Sequence, residues 1–116
     1  METMLYPTDD LRIKWTKVVL PPVALEEELP VTEKASATVF KARKEICDIL
    51  AHKDQRLIVV VGPCSIHDTE AAREYAGLLK GAIEEFSRDL CIVMRVYFEK
   101  PRTTLGWKGL INDPYL

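Results

Sequence analysis

A cysteine, a histidine and an aspartate fall within five residues in Gly62-Pro63-Cys64-Ser65-Ile66-His67-Asp68. Cys64 is a candidate metal ligand or nucleophile, because the thiolate serves in both roles. Cys64 and His67 are three apart, so both can in principle reach one ion. The alternative is a small apolar cysteine followed by a helix-capping Asp68, and spacing alone does not separate the two. For His67 a structural place near the helix start is the better reading. A further chemical residue is Arg95, set among Val93, Met94, Val96 and Tyr97. In a strand, Val93, Arg95 and Tyr97 share one face. A guanidinium in a doubly buried strand is costly unless it meets an anion. Its planar fork matches a carboxylate or phosphate in bidentate fashion. An ion pair with a buried acid is the alternative, but few acidic residues here have apolar neighbours, which favours a ligand. Lys100-Pro101-Arg102-Thr103 then offers two cations and a hydroxyl, stiffened by the fixed φ of Pro101. Alone it reads as a solvated basic loop. With Arg95 and Cys64 at neighbouring strand ends, it reads as one of two anion-binding patches beside one metal ligand.

Four elements must position these groups. Leu57-Ile58-Val59-Val60-Val61 is an unbroken apolar run, β-branched from Ile58 onward, the pattern of a parallel strand buried on both faces. Gly62-Pro63 ends it. Asp68 or Thr69 caps a helix to about Ser87, with Ala72, Tyr75, Leu79, Ala82, Ile83 and Phe86 as its apolar stripe. Gly77 and Gly81 weaken this helix and are expected to allow close packing on a neighbour. Leu90 to Tyr97 is a second apolar strand, which completes a βαβ unit. Functional loops in such units sit at the C-terminal ends of the strands, where both candidate sites fall. An amphipathic helix from Glu33 to about Lys53 precedes the unit, with Thr32 as its cap and Val39, Ala42, Ile46, Ile49 and Leu50 on one face. Lys41, Arg43, Lys44, Glu45 and Asp48 form its solvated side. Pro22 opens a short helix to Glu28, and Val18-Val19-Leu20 before it is a short extended piece. Cys47 and Cys91 read as core packing.

The chain has 116 residues, with 16 basic and 18 acidic side chains and a net charge of −2. At 47% hydrophobic and 29% charged it has an ordinary globular composition, which excludes a disordered tail. The near-neutral balance excludes a general nucleic-acid binder. No apolar run approaches a membrane span. Met1 to Asp10 shows neither a basic region nor an apolar core of a secretory signal, and three cysteines without paired spacing fit reduced thiols. A soluble cytoplasmic protein with no membrane partner is expected. Gly106 to Leu116 offers no closing element, and Trp107, Leu110, Ile111 and Leu116 have no evident partner in the sequence.

The site residues, read together, resemble a known family. The motif at 62–68, then Val93-Met94-Arg95-Val96-Tyr97-Phe98-Glu99-Lys100-Pro101-Arg102-Thr103-Thr104, then Gly106-Trp107-Lys108-Gly109-Leu110-Ile111-Asn112-Asp113-Pro114, are similar to the type I DAHP synthases. These are the phospho-2-dehydro-3-deoxyheptonate aldolases that open the shikimate pathway to chorismate and the aromatic amino acids. Asp9-Asp10-Leu11-Arg12-Ile13-Lys14 and Leu20-Pro21-Pro22-Val23-Ala24-Leu25 are most similar to the phenylalanine-sensitive members. The resemblance implies an α/β fold, a (β/α)₈ barrel with an N-terminal extension. It implies a transferase that condenses phosphoenolpyruvate with erythrose 4-phosphate and water and releases phosphate. It implies a divalent metal (manganese, iron, cobalt or zinc), an aromatic amino-acid effector such as phenylalanine, and a homodimer or tetramer. Carried over by motif, Cys64 is a metal ligand, Arg95 binds phosphoenolpyruvate, and Lys100 lies between the substrates as charge clamp and proton donor. Pro101, Arg102 and Thr103 line the erythrose 4-phosphate site. Asp9, Asp10 and Ile13 belong to an effector or inter-subunit arm, and His67 is not a ligand. Both substrates are phosphorylated anions, which is what the cations at the mouth would require, and a metal would polarise the aldehyde oxygen.

Length departs from the family. A (β/α)₈ barrel needs about 250 residues. Residues 1–54 are expected to form the extension with its arm and helix, and 55–116 the start of a truncated barrel. The 116 residues are then an N-terminal fragment, inactive alone. The alternative is a truncated, non-catalytic interaction protein that modulates a full-length partner. Cys64 alone also suggests a thiol redox module.

Overall fold

The computed structural model describes residues 8, 9, 11–99 and 106–115. The chain falls into two compact units, Met1–Glu33 and Lys34–Leu116. The described part of the first is mostly irregular and exposed, with one short helix, α1 (Pro22–Glu28). Pro22 opens α1 as expected, because its missing N–H would be unpaired there in any case. Leu29 closes it by donating its N–H to the Leu25 carbonyl at 2.8 Å. Val18-Val19-Leu20 joins no strand and lies exposed.

The second unit holds α2 (Glu33–Leu50), β1 (Leu57–Val61), α3 (Thr69–Glu85) and β2 (Leu90–Met94). Helix α2 stops three residues short of the expected end. His52 adopts a left-handed φ of 59°. Its N–H reaches the Ile49 carbonyl at 3.0 Å, and the Lys53 N–H reaches the Asp48 carbonyl at 2.8 Å. That crossed pair is the Schellman arrangement, with histidine where glycine is commoner. Ala42, Ile46 and Ile49 are half-buried as the inner face, whereas Val39, Leu50 and Cys47 are exposed. Cys47 is therefore not core packing. Glu45 and Asp48 are half-buried rather than solvated, because each is held by a cation.

Strands β1 and β2 pair in parallel, from Leu57 opposite Leu90 to Val61 opposite Met94, and α3 connects them and packs on β2. This is the βαβ unit that the alternation of patterns predicts. Strand β2 ends at Met94 rather than Tyr97, because its partner ends at Gly62-Pro63 and proline has no N–H to continue a ladder. Cys91 and Ile66 are the buried apolar side chains among the described residues, each 5% exposed. Burial of β1 on both faces is not observed: Leu57 and Val60 are 69% and 63% exposed. Two strands and one covering helix cannot enclose a central strand. Asp68 caps α3 by accepting from the N–H groups of Glu70 at 2.9 Å and Ala71 at 3.3 Å. Among the described residues, a Cβ at Gly77 or Gly81 would meet nothing within 4 Å, so neither glycine packs closely on a described neighbour.

Candidate functional site

The two strands end side by side, and this brings the candidate residues together. Past Val61 the chain turns at Gly62, whose φ is +154°. Arg95 follows β2 directly, and its N–H donates to the Val61 carbonyl at 2.6 Å. A Cβ at Gly62 would stand 2.5 Å from the Arg95 carbonyl oxygen and 2.9 Å from its Cβ. Only glycine allows the two backbones to pass this closely. The next loop residues are tied across as well. The Ile66 N–H donates to the Tyr97 carbonyl at 2.9 Å, and the Ser65 hydroxyl donates to the same oxygen at 3.5 Å.

Arg95 Nη2 donates to the Cys64 carbonyl at 3.4 Å, and the guanidinium carbon stands 5.0 Å from the centre of the Tyr97 ring. Arg95 is exposed, one residue beyond the strand. The cost of a buried guanidinium therefore does not arise. No carboxylate among the described residues pairs with Arg95. The ring of Tyr97 and the Cys64 carbonyl hold the fork at the strand ends, and among the described residues no carboxylate meets its remaining N–H groups. Cys64 is also exposed at this mouth. Of the remaining predicted residues, Lys100, Pro101, Arg102, Thr103 and Asp10 lie outside the described residues. Asp9 and Ile13 belong to the first unit, where both are exposed.

His67 takes the structural place expected of it. Its ring meets that of Trp107 edge to face, with centroids 6.5 Å apart and planes at 88°. Trp107 Nε1 in turn donates to the Asp113 carbonyl at 2.7 Å. The segment 106–113 thus has partners that its sequence does not reveal. Its anchor is Glu99, which sequence reasoning passed over. Glu99 pairs with Gly109 as an antiparallel bridge. Its Oε1 accepts from the N–H groups of Ile111 and Asn112, both at 3.0 Å, and its Oε2 accepts from Asn112 Nδ2 at 3.0 Å. Gly109, at φ +132°, fits here because a Cβ would come within 2.7 Å of that carboxylate. An acid a few residues past a strand, followed at ten residues by a glycine-bounded turn, is the signal that was available.

A separate charge cluster lies at the other end of the strands. The Arg56 guanidinium holds both oxygens of Asp54, donates to the Ser87 carbonyl at 3.2 Å and stands 3.5 Å from Glu45. Hydrogen bonding by Arg56 keeps the Asp54 carboxyl below the usual carboxylate range. Burial pushes the Cys91 thiol up, so this cysteine is a packing residue and not a nucleophile. Among the described residues no three of His, Cys, Asp and Glu stand together so as to hold a metal ion. Cys64 is at most one ligand, and the described residues do not by themselves form a metal centre. No described helix is long and apolar enough to cross a membrane.

Known proteins share this arrangement. The sequence profile of the DAHP synthetase I family matches residues 28–116. The chain is 63% identical over 113 residues to the Phe-sensitive phospho-2-dehydro-3-deoxyheptonate aldolase of Escherichia coli K12, covering 97% of this chain and 32% of that protein. It is 53% identical over 106 residues to the phenylalanine-inhibited aldolase of Saccharomyces cerevisiae, covering 91% of this chain and 29% of that one. A solved phospho-2-dehydro-3-deoxyheptonate aldolase from Francisella tularensis SCHU S4 superposes with a TM-score of 0.82 at 55% identity, over 88% of this chain and 30% of its own. The chain therefore spans about a third of the length of the relatives it matches. With the profile covering most of its residues and parallel strands ending in the expected motifs, the chain belongs to the DAHP synthetase I family.

Proposed function

We propose that this chain is the first third of a DAHP synthase and supplies the first two strands of a (β/α)₈ barrel. The whole enzyme joins phosphoenolpyruvate to erythrose 4-phosphate with water, giving 3-deoxy-D-arabino-heptulosonate 7-phosphate and phosphate, in the cytoplasm. The observation that carries this reading is the meeting of Arg95 with the Cys64 loop at 3.4 Å, at the C-terminal ends of paired parallel strands. Catalytic groups of α/β barrels gather at that end. Arg95 binds phosphoenolpyruvate through its fork, which fixes the anion's orientation as well as its charge. Lys100 stands between the two substrates as clamp and proton donor, and Pro101, Arg102 and Thr103 hold erythrose 4-phosphate. Holding both reactants in register is the main contribution these residues make. Cys64 supplies one thiolate to a divalent metal whose other ligands come from elsewhere in the protein. Asp9, Asp10 and Ile13 serve an arm that senses phenylalanine or meets another subunit in a homo-oligomer.

The test is turnover by the full-length gene product that carries this chain. Phosphoenolpyruvate disappears only when erythrose 4-phosphate is present, and one phosphate appears per molecule consumed. The isolated 116-residue chain shows no turnover. In the full-length protein Arg95→Ala raises KM for phosphoenolpyruvate by about 30-fold or more, the scale of a lost charge-assisted pair. A full-length product inert towards both substrates together would overturn the proposal.

A further inference from the structure

We propose that the Glu45–Arg56 pair is a latch that holds helix α2 on the βαβ unit, and that α2 lifts apart from the sheet and uncovers Cys91 when the pair is broken. Helix α2 stands a side chain's length from its neighbours. Among the described elements, no Cα of α2 comes within 8 Å of a Cα in β1, α3 or β2. Its attachment therefore falls to side chains. Ala42, Ile46 and Ile49 form a half-buried inner face, and no residue of α2 is fully buried. Partial burial of three such side chains gives a weak hold, since stabilisation follows the apolar area removed from water.

Glu45 adds a polar tie on the same face, three residues after Ala42 and four before Ile49. Its Oε2 stands 3.5 Å from Arg56 Nη2 and accepts from the Cys91 thiol at 3.9 Å. One carboxylate oxygen thus reaches the residue before β1 and a residue within β2. Arg56 is itself fixed on the βαβ side, by both oxygens of Asp54 and by the Ser87 carbonyl at 3.2 Å. Among the described residues, the other ion pairs of α2, Lys41–Glu45 and Lys44–Asp48, stay within the helix. The Glu45 pair alone crosses to the βαβ unit. Lys41 and Glu45 also wall the small cavity beside Cys91, opposite Ile83 and Ser87. Cys91 is 5% exposed, so its sulfur meets a reagent in solution once α2 lifts.

The experiment uses Glu45→Ala and Glu45→Gln in the full gene product that carries this chain, with Lys44→Ala as the control. Glutamine keeps the shape of the side chain and removes its charge, and both variants leave Arg56 paired with Asp54. The readouts are amide exchange at Ala42 and Ile46 in α2 and at Val59 in β1, and alkylation of Cys91 by iodoacetamide, located by peptide mass. An 18-residue helix off its support is marginal in water, so its amides exchange once it lifts. Each Glu45 variant raises exchange at Ala42 and Ile46 by about fivefold, the scale of one partly buried ion pair, and raises Cys91 labelling at least as much. Exchange at Val59, and every readout in Lys44→Ala, stays within about twofold of wild type, because an exposed pair inside one helix contributes little. Unchanged exchange in α2, equal acceleration at Val59, or an equal effect of Lys44→Ala would overturn the proposal. Faster labelling of Cys91 without faster exchange in α2 would overturn it too, because removing a carboxylate beside a thiol favours the thiolate without any opening.

Discussion

Replacing Gly62 by alanine tests the close pass of the two strand ends on which the candidate site depends. The added Cβ lands 2.5 Å from the Arg95 carbonyl oxygen, whereas ordinary contact begins at 3.4 Å. The blocking atoms are backbone, so no side chain can swing aside. The strand ends must open by about 0.9 Å, which is enough to disrupt the 2.6 Å bond from Arg95 N–H to the Val61 carbonyl. Alanine at φ +154° adds backbone strain of about 1–3 kcal/mol. The lost hydrogen bond adds about 0.5–1.5 kcal/mol. A destabilisation of about 2–4 kcal/mol follows, a large share of a typical domain's stability. The assay is urea unfolding followed by circular dichroism, with amide exchange at Arg95 as the local readout. In the full-length protein, KM for phosphoenolpyruvate rises as Arg95 shifts. An alanine variant with an unchanged urea midpoint and a protected Arg95 amide would refute the reasoning, since the Arg95 carbonyl at 2.5 Å leaves no room for that methyl group.

Gly77→Ala and Gly81→Ala move stability the other way, by about 0.5–1 kcal/mol each, because a helical Cβ there meets open space; urea midpoints check this. Asp68→Ala removes the cap on the Glu70 and Ala71 N–H groups and costs about 1 kcal/mol, whereas Asp68→Asn keeps most of it. The Asp54 carboxyl is held below its ordinary value by Arg56, so its contribution is fully present above about pH 4 and is lost as pH falls through the lowered value. Urea midpoints taken at falling pH should drop more steeply below that point in wild type than in Arg56→Met.

Much of the local structure was legible in the residues. Pro22 marked the start of α1, the apolar run marked β1 to the residue, and Asp68 marked the cap of α3. Each is a short-range effect: a fixed φ, a steric preference, a side chain reaching its own backbone. The ends of α2 and β2 were less legible because each is set by something off the segment. A left-handed His52 stops α2, and the loss of a partner beyond Val61 stops β2. The motifs likewise marked Cys64 and Arg95, but Arg95 is not buried in a strand, because the strand ends before it.

By itself the sequence determined the order of the main elements, their parallel pairing and the family, since these are carried by local pattern and by long motifs. Tertiary structure alone decided which strand ends touch and what holds the segment 106–113. Those outcomes depend on the distance between residues far apart in the chain. Gly62 is shown to be obligatory only by the Arg95 carbonyl that lies against it, and Glu99 is shown to be an anchor only by the three donors that a turn ten residues later brings to it.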